Sequence, residues 1–284
     1  RPWYMGMGRD YFKAFVHEYV AGISSITPTL AAENLFKPNL QLPPMSANAT
    51  LLRLRRTSSS VSPGHSVTPA ASTIDTASTS SSDTILLDLS FPADVHGTRG
   101  APSSLQALLE CSAPPSGSAG TNIRYTLRWF NKTATHAPET IWLSSLPLPL
   151  APQPRSAASP PTGIVSLDKL GSAIDPMDTD LGCDGKHRLT CGVHLHGVGP
   201  TGVRISLGAT PTTPDASMRL VPIDSALVSV GTADPVPTPL AKPNLSEGVH
   251  FALVGNIWNT NYPFWYPFTP GDDSSQFRFE LELP

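Results

Sequence analysis

The chain has 284 residues and a formal net charge of −3, with 14% charged residues, 31 prolines and 21 glycines. That length supports a sizeable core, the density of prolines and glycines excludes long helices, and the lack of a Lys/Arg-rich block argues against a nucleic-acid surface. No apolar run approaches the roughly 18 residues of a membrane span, so the chain reads as a strand-and-loop protein with no membrane segment.

In chain order, Asp10 to Ala21 carries the helical signal. Tyr11, Phe12, Phe15, Val16 and Tyr19 share one face, Asp10 can cap the start and Gly22 can stop the end. Leu51 to Arg55 predicts a short strand with a wet face. Thr57–Asp83 is rich in Ser, Thr, Ala and Pro, holds too little apolar surface to offset its ordering entropy, and is expected to be a disordered insertion. Ile85, Leu87, Leu89 and Phe91 then fall on one strand face, and His96 to Pro102 reads as a turn.

The clearest strand is Asn122 to Phe130, where Ile123, Tyr125, Leu127 and Trp129 alternate with Arg124, Thr126 and Arg128. Thr140 to Leu143 continues briefly before a Pro-rich insertion over Pro147–Thr162. Further short strands are expected over Gly163–Gly171, His194–Leu207, Met218–Val230 and Gln276–Leu283, the last with Phe277, Phe279, Leu281 and Leu283 on one face. The pattern predicts an all-β fold, mainly an antiparallel β-sandwich, with one short N-terminal helix and disordered Ser/Pro-rich insertions, forming one unit over residues 1–284.

Chemistry-bearing constellations are sparse. Cys183, Cys191, His194 and His196 form the best metal candidate, but the spacing fits no standard zinc pattern and a polar strand face outweighs it, so no metal and no cofactor is expected. A Cys183–Cys191 bridge stays open, and Cys111 is the third cysteine. Asp175, Asp178, Asp180 and Asp184 lack the closing glutamate of a calcium loop and read as a solvated turn, as do Asp272 and Asp273. Asn48, Asn131 and Asn244 begin short glycosylation-type triplets that arise often by chance, which leaves the compartment open. There is no nucleophile elbow and no phosphate-cradling glycine loop, and no catalytic residue is assigned.

The most aromatic stretch lies between Gly248 and Leu283. Its loop holds Trp258, Tyr262, Phe264, Trp265, Tyr266 and Phe268, rings that either bury against one another or give a platform for a sugar. Burial is the simpler outcome, and Trp258, Asn261, Tyr262 and Trp265 are the candidate carbohydrate contacts.

Several segments occur in the order found in a known family. They include Gly100-Ala101-Pro102, Trp129-Phe130-Asn131-Lys132, Pro138-Glu139-Thr140-Ile141-Trp142, Leu167-Asp168-Lys169-Leu170-Gly171 and His194-Leu195-His196. Ile223 to Val228, Gly248-Val249-His250-Phe251, Asn256 to Asn261 and Phe277-Arg278-Phe279 follow, with Arg9-Asp10-Tyr11 and Phe36-Lys37-Pro38 upstream. Together these resemble the C-terminal half of the domain-of-unknown-function family 5054, whose proteins look like glycoside hydrolase family 38 α-mannosidases. Lys186 to Val193 looks like an insertion relative to that family, and Thr135-His136-Ala137 stands where it often carries Arg-Leu.

The resemblance implies an all-β region, of the galactose-mutarotase-like supersandwich kind, packed against an N-terminal catalytic barrel that lies outside this chain. Zinc ligands and the nucleophilic aspartate belong to that barrel, so the expected role is non-catalytic support with a possible carbohydrate contact. A free-standing carbohydrate-binding or protein-interaction module is the alternative from a different class. A small metalloenzyme built on His194 and His196 is a third.

Overall fold

The computed structural model describes residues 1–7, 43–60, 81–112, 120–135, 137–145, 165–169, 172–174, 176, 195–197, 202–206, 217–225, 227–233, 244, 247–256 and 268–283. The chain forms β1 (Pro2–Gly6), β2 (Met45–Asn48), β3 (Thr50–Ser60) and β4 (Ser81–Ser90), then a seven-residue helix α1 (Ala93–Arg99). β5 (Ser104–Ser112), β6 (Thr121–Phe130), β7 (Glu139–Ser145), β8 (Val165–Lys169) and β9 (Ser172–Ile174) follow. β10 (Leu195–Gly197), β11 (Val203–Ser206), β12 (Ser217–Pro222), β13 (Leu227–Val230), β14 (Val249–Asn256) and β15 (Ser275–Leu283) complete it.

These strands make two antiparallel sheets. One has the order β10-β13-β14-β7-β1-β2, the other β3-β4-β5-β6-β15-β12-β11-β8-β9. The core lies between them. Tyr4, Ile141, Val228, Val249 and Phe251 of the six-stranded sheet and Leu105, Leu127, Trp129, Phe277 and Phe279 of the nine-stranded sheet belong to one buried cluster. Phe251 and Phe279 touch across the layers with ring centroids 5.1 Å apart, and Tyr4 meets Phe91 edge-on at 6.2 Å. The arrangement is the predicted antiparallel sandwich.

Alternation explains the centre of the nine-stranded sheet. β15 pairs with β6 from Ser275↔Trp129 to Leu283↔Thr121, so Phe277 lies opposite Leu127 and Phe279 opposite Tyr125 on the core side. Arg278 and Glu280 turn outward. Arg124 approaches Glu280 at 3.7 Å, Arg219 approaches Glu282 at 2.8 Å, and Arg128 donates to Gln276 at 2.7 Å. β7 differs, because Glu139 to Leu143 is buried on both faces.

Four sequence expectations change. His194–Leu207 is not one strand: β10 joins the six-stranded sheet and β11 the nine-stranded one. Met218–Val230 divides the same way into β12 and β13. The crossing is held at Asp224, whose carboxylate accepts from the Arg278 amide at 2.9 Å and from its guanidinium twice at 2.8 Å, which keeps the Asp224 carboxyl below its ordinary range. Ser225 then donates to the Ala252 carbonyl at 2.7 Å.

The third change is α1, which stands where a turn was expected. Its first turn is bounded by Pro92 without a side-chain cap, and it stops at Gly100 in the left-handed conformation, φ 76°. Fourth, both ends of Thr57–Asp83 are ordered. β3 and β4 pair out to Ser60↔Ser81, and Asp83 accepts from Ser58 and from Arg56, which together hold its carboxyl low. The expected helix over Asp10–Ala21 and the Pro147–Thr162 insertion lie outside the described residues. Among the described residues no helix is long and apolar enough to cross a membrane.

One backbone position is intolerant. Gly202 has φ 68° and precedes β11, where an added Cβ would sit 2.1 Å from the Leu220 carbonyl oxygen and 2.9 Å from Val221 Cα. Its own carbonyl accepts from the Asp168 amide at 2.9 Å. Gly202→Ala therefore adds left-handed strain to a clash with backbone, and denaturant titration is expected to show a loss of roughly 2–4 kcal/mol.

Candidate functional site

The chemistry-bearing side chains of the described residues converge on a buried junction at one end of the sandwich. Four segments build it. β1 supplies Tyr4, the end of α1 supplies Arg99, the turn after β6 supplies Lys132, and the first residue of β7 is Glu139. Asn131 makes the turn with φ 55°, a conformation asparagine tolerates better than most side chains, and this sends Lys132 inward.

The loop after Lys132 is tied on three sides. The Lys132 amide donates to the Asp273 carbonyl at 2.9 Å, and the Thr133 amide to the Gly100 carbonyl at 3.0 Å. Asn256 donates through Nδ2 to the carbonyls of Thr135, 2.9 Å, and Ala137, 3.2 Å. Gly100 is constrained here as well, since a Cβ on it would meet the Thr133 oxygen at 2.6 Å.

At the centre, Lys132 Nζ donates to Glu139 Oε1, with both side chains 1% exposed. Lys132 also reaches the Gly100 and Thr133 carbonyls at 3.3 and 3.4 Å, and lies 5.3 Å from the centroid of the Phe268 ring. Arg99 is 1% exposed and donates through Nη2 to the Pro43 carbonyl. Tyr4 Oη, Arg99 Nη1 and Glu139 Oε2 are buried without a well-formed hydrogen bond among the described residues.

Burial pushes the Glu139 carboxyl above its ordinary range, against the opposing pull of Lys132, Tyr4 and Arg99. Burial also lowers the Arg99 guanidinium and, with the Glu139 charge beside it, raises the Tyr4 phenol. Two cations, one carboxylate and one phenol are thus held out of water. Such a set fixes four chain segments in register, and a solvent-borne substrate cannot reach it.

A second polar cluster lies on the other face of the six-stranded sheet. Trp3 stacks on Trp142 with centroids 6.2 Å apart and planes 18° apart, and His250 meets both edge-on at 6.4 Å. Ser144 Oγ links them, accepting from Trp3 Nε1 at 2.6 Å and lying 2.6 Å from His250 Nδ1. Burial lowers the His250 pKa.

Of the sequence candidates, Trp258, Asn261, Tyr262 and Trp265 lie outside the described residues, as do Cys183, Cys191, His194, Asp175, Asp178, Asp180 and Asp184. His196 is on β10, opposite Val228 in β13. Cys111 is a free thiol on β5. Among the described residues no group of three or more His, Cys, Asp or Glu side chains is arranged to hold a metal ion. Asp272 and Asp273 do form a turn, with Asp272 accepting from the Thr269 amide at 2.8 Å and hydroxyl at 2.7 Å.

Sequence reading missed the junction, because its members are spread from residue 4 to residue 139. The available signal was the charged residue in Asn131-Lys132 and Pro138-Glu139, each beside a strand. Compared with known proteins, the chain matches no family model, no curated protein and no solved structure.

Proposed function

We propose that this chain is a non-catalytic β-sandwich region of a glycoside-hydrolase-like protein, similar to the C-terminal region of the domain-of-unknown-function family 5054. In this reading it supports an N-terminal catalytic barrel and offers a sugar contact through Trp258, Asn261, Tyr262 and Trp265.

What supports the reading is the fate of the segments that carry the resemblance. Lys132 and Glu139 are 1% exposed, Arg99 beside Gly100-Ala101-Pro102 is 1% exposed, and His250 is 7% exposed. Phe251, Phe277 and Phe279 fill the space between the sheets. These segments hold the sandwich together, as a supporting region requires, and their titratable groups are spent on one another. Function lives in sites rather than folds, so the activity itself belongs to the barrel.

The test pairs turnover with binding. The isolated chain is expected to leave 4-nitrophenyl α-mannoside intact, while an α-linked mannobiose quenches its tryptophan fluorescence and the Trp258→Ala/Trp265→Ala variant loses that quenching. Hydrolysis by the isolated chain, or unchanged quenching in the double variant, would overturn the proposal.

A further inference from the structure

Among the described residues β3 closes one edge of the nine-stranded sheet, and its leucines fall on a different face from Arg53 and Arg55. Arg56, opposite Ile85, returns to the leucine row and is paired with Asp83. Leu51 lies opposite Leu89 and Leu54 opposite Leu87, which puts both leucines on the core side of the sheet. Yet Leu51 is 50% exposed and Leu54 57%, so the described residues of the opposite layer leave this end open. Leu52 sits at the bulge between Leu51 and Arg53 and is 67% exposed.

Arg53, opposite Asp88, and Arg55, opposite Leu86, occupy the other face. Arg55 reaches Asp88 only at 3.4 Å, and Arg53 has no ion-pair partner among the described residues. Among the described residues no strand pairs with the outer edge of β3, and a long edge strand with three exposed leucines is an uncommon thing to leave open, because unpaired amides and carbonyls template strand addition.

β4 shows what chemistry β3 accepts. Along the paired edge, Leu87 and Leu89 set apolar side chains against Leu54 and Leu51 and Asp88 a carboxylate against Arg53, while Leu86 and Ile85 stand opposite Arg55 and Arg56, whose guanidinium groups reach Asp88 and Asp83 instead. A strand arriving at the free edge meets the same two rows. A second copy of β3 fits poorly, since antiparallel self-pairing would bring the arginine rows of two chains together.

We propose that the free edge of β3 docks an extended segment of another protein that alternates apolar and acidic residues and adds as a further strand. Its main-chain groups pair with β3, its apolar side chains cover Leu51 and Leu54, and its carboxylates meet Arg53 and Arg55. An open groove bordered by Thr50, Leu52, Ser90, Phe91, Pro92 and His96 lies beside the start of β3. This edge shares no residue with the buried junction of Tyr4, Arg99, Lys132 and Glu139.

The test uses the full 284-residue chain and two capped seven-residue peptides, one alternating valine with glutamate and one alternating valine with lysine. The glutamate probe is expected to bind at least about tenfold more tightly, to shift and protect amides of β3, and to lose binding when N-methylated throughout. Arg53→Glu, at a side chain without a partner, is expected to reverse the preference, and Arg53→Gln to remove most of it. Equal binding of the two probes, absence of binding, amide shifts confined to other strands, or full binding by the N-methylated probe would each overturn the proposal. So would protection of β3 that depends on protein concentration alone, since the occupant would then be a second copy.

Discussion

Glu139→Ala is expected to destabilise the protein by about 3–5 kcal/mol, the usual cost of stranding one member of a buried ion pair. Both side chains are 1% exposed, so removing the carboxylate leaves the Lys132 ammonium without an anion and with only two long contacts, 3.3 and 3.4 Å, to carbonyl oxygens. Arg99 loses the same negative neighbour. Lys132→Ala should cost a similar amount, for then the buried Glu139 carboxylate loses its ion-pair partner and keeps only the weaker pull of Tyr4 and Arg99.

The combined replacement Lys132→Met/Glu139→Leu is expected to recover most of that loss, because apolar side chains of similar volume remove both desolvation penalties together. Arg99 accounts for what is not recovered, since it keeps only the Pro43 carbonyl. Denaturant unfolding of the three variants measures the pattern. A loss under about 1 kcal/mol for Glu139→Ala would mean that the pair is open to water, as exposed pairs are.

Phe251→Ala should also cost about 3–5 kcal/mol, as large-to-small changes of fully buried aromatics do. The side chain is 2% exposed and belongs to β14, while its ring partner Phe279 belongs to β15 of the other sheet. Removing it opens a cavity between layers that are each held by their own ladder hydrogen bonds and cannot close freely. A double-mutant cycle with Phe279→Ala should return a coupling of about 0.5–1.5 kcal/mol beyond additivity. Strict additivity would place the two rings in separate environments.

The strands whose residues alternate were legible. Asn122 to Phe130 and Gln276 to Leu283 each show period-two alternation over most of their length, and they became neighbouring strands at the centre of one sheet. The sandwich followed from their one-sided pattern. Where a strand ends and the chain changes layer was not legible, because Met218 to Val230 and His194 to Leu207 stay apolar enough across the break to look continuous. The physical markers were local: Pro222 ends the β12 ladder opposite Phe279, and Asp224 then turns to Arg278.

α1 was hidden for a related reason. Gly97 and Gly100 both read as turn residues, and only the second acts as one, stopping a helix that Val95 and Arg99 anchor inward. The Lys132–Glu139 junction could not be found by spacing at all, since ion pairing between loop and strand leaves no periodic trace. β3 was read as a short strand with one wet face; it is a strand, but its leucine row is exposed as well, and its true length was masked by serine and threonine, which a ladder pairs as readily as any other backbone.

The packing of two layers through Phe251 and Phe279 is tested most directly by nuclear Overhauser contacts between their rings in the 284-residue chain. With centroids 5.1 Å apart, the ring protons of Phe251 should show strong cross-peaks to those of Phe279. If Phe279 instead gives contacts only to β6 and β12 and none to Phe251, the two sheets do not face each other and the sandwich described above is wrong.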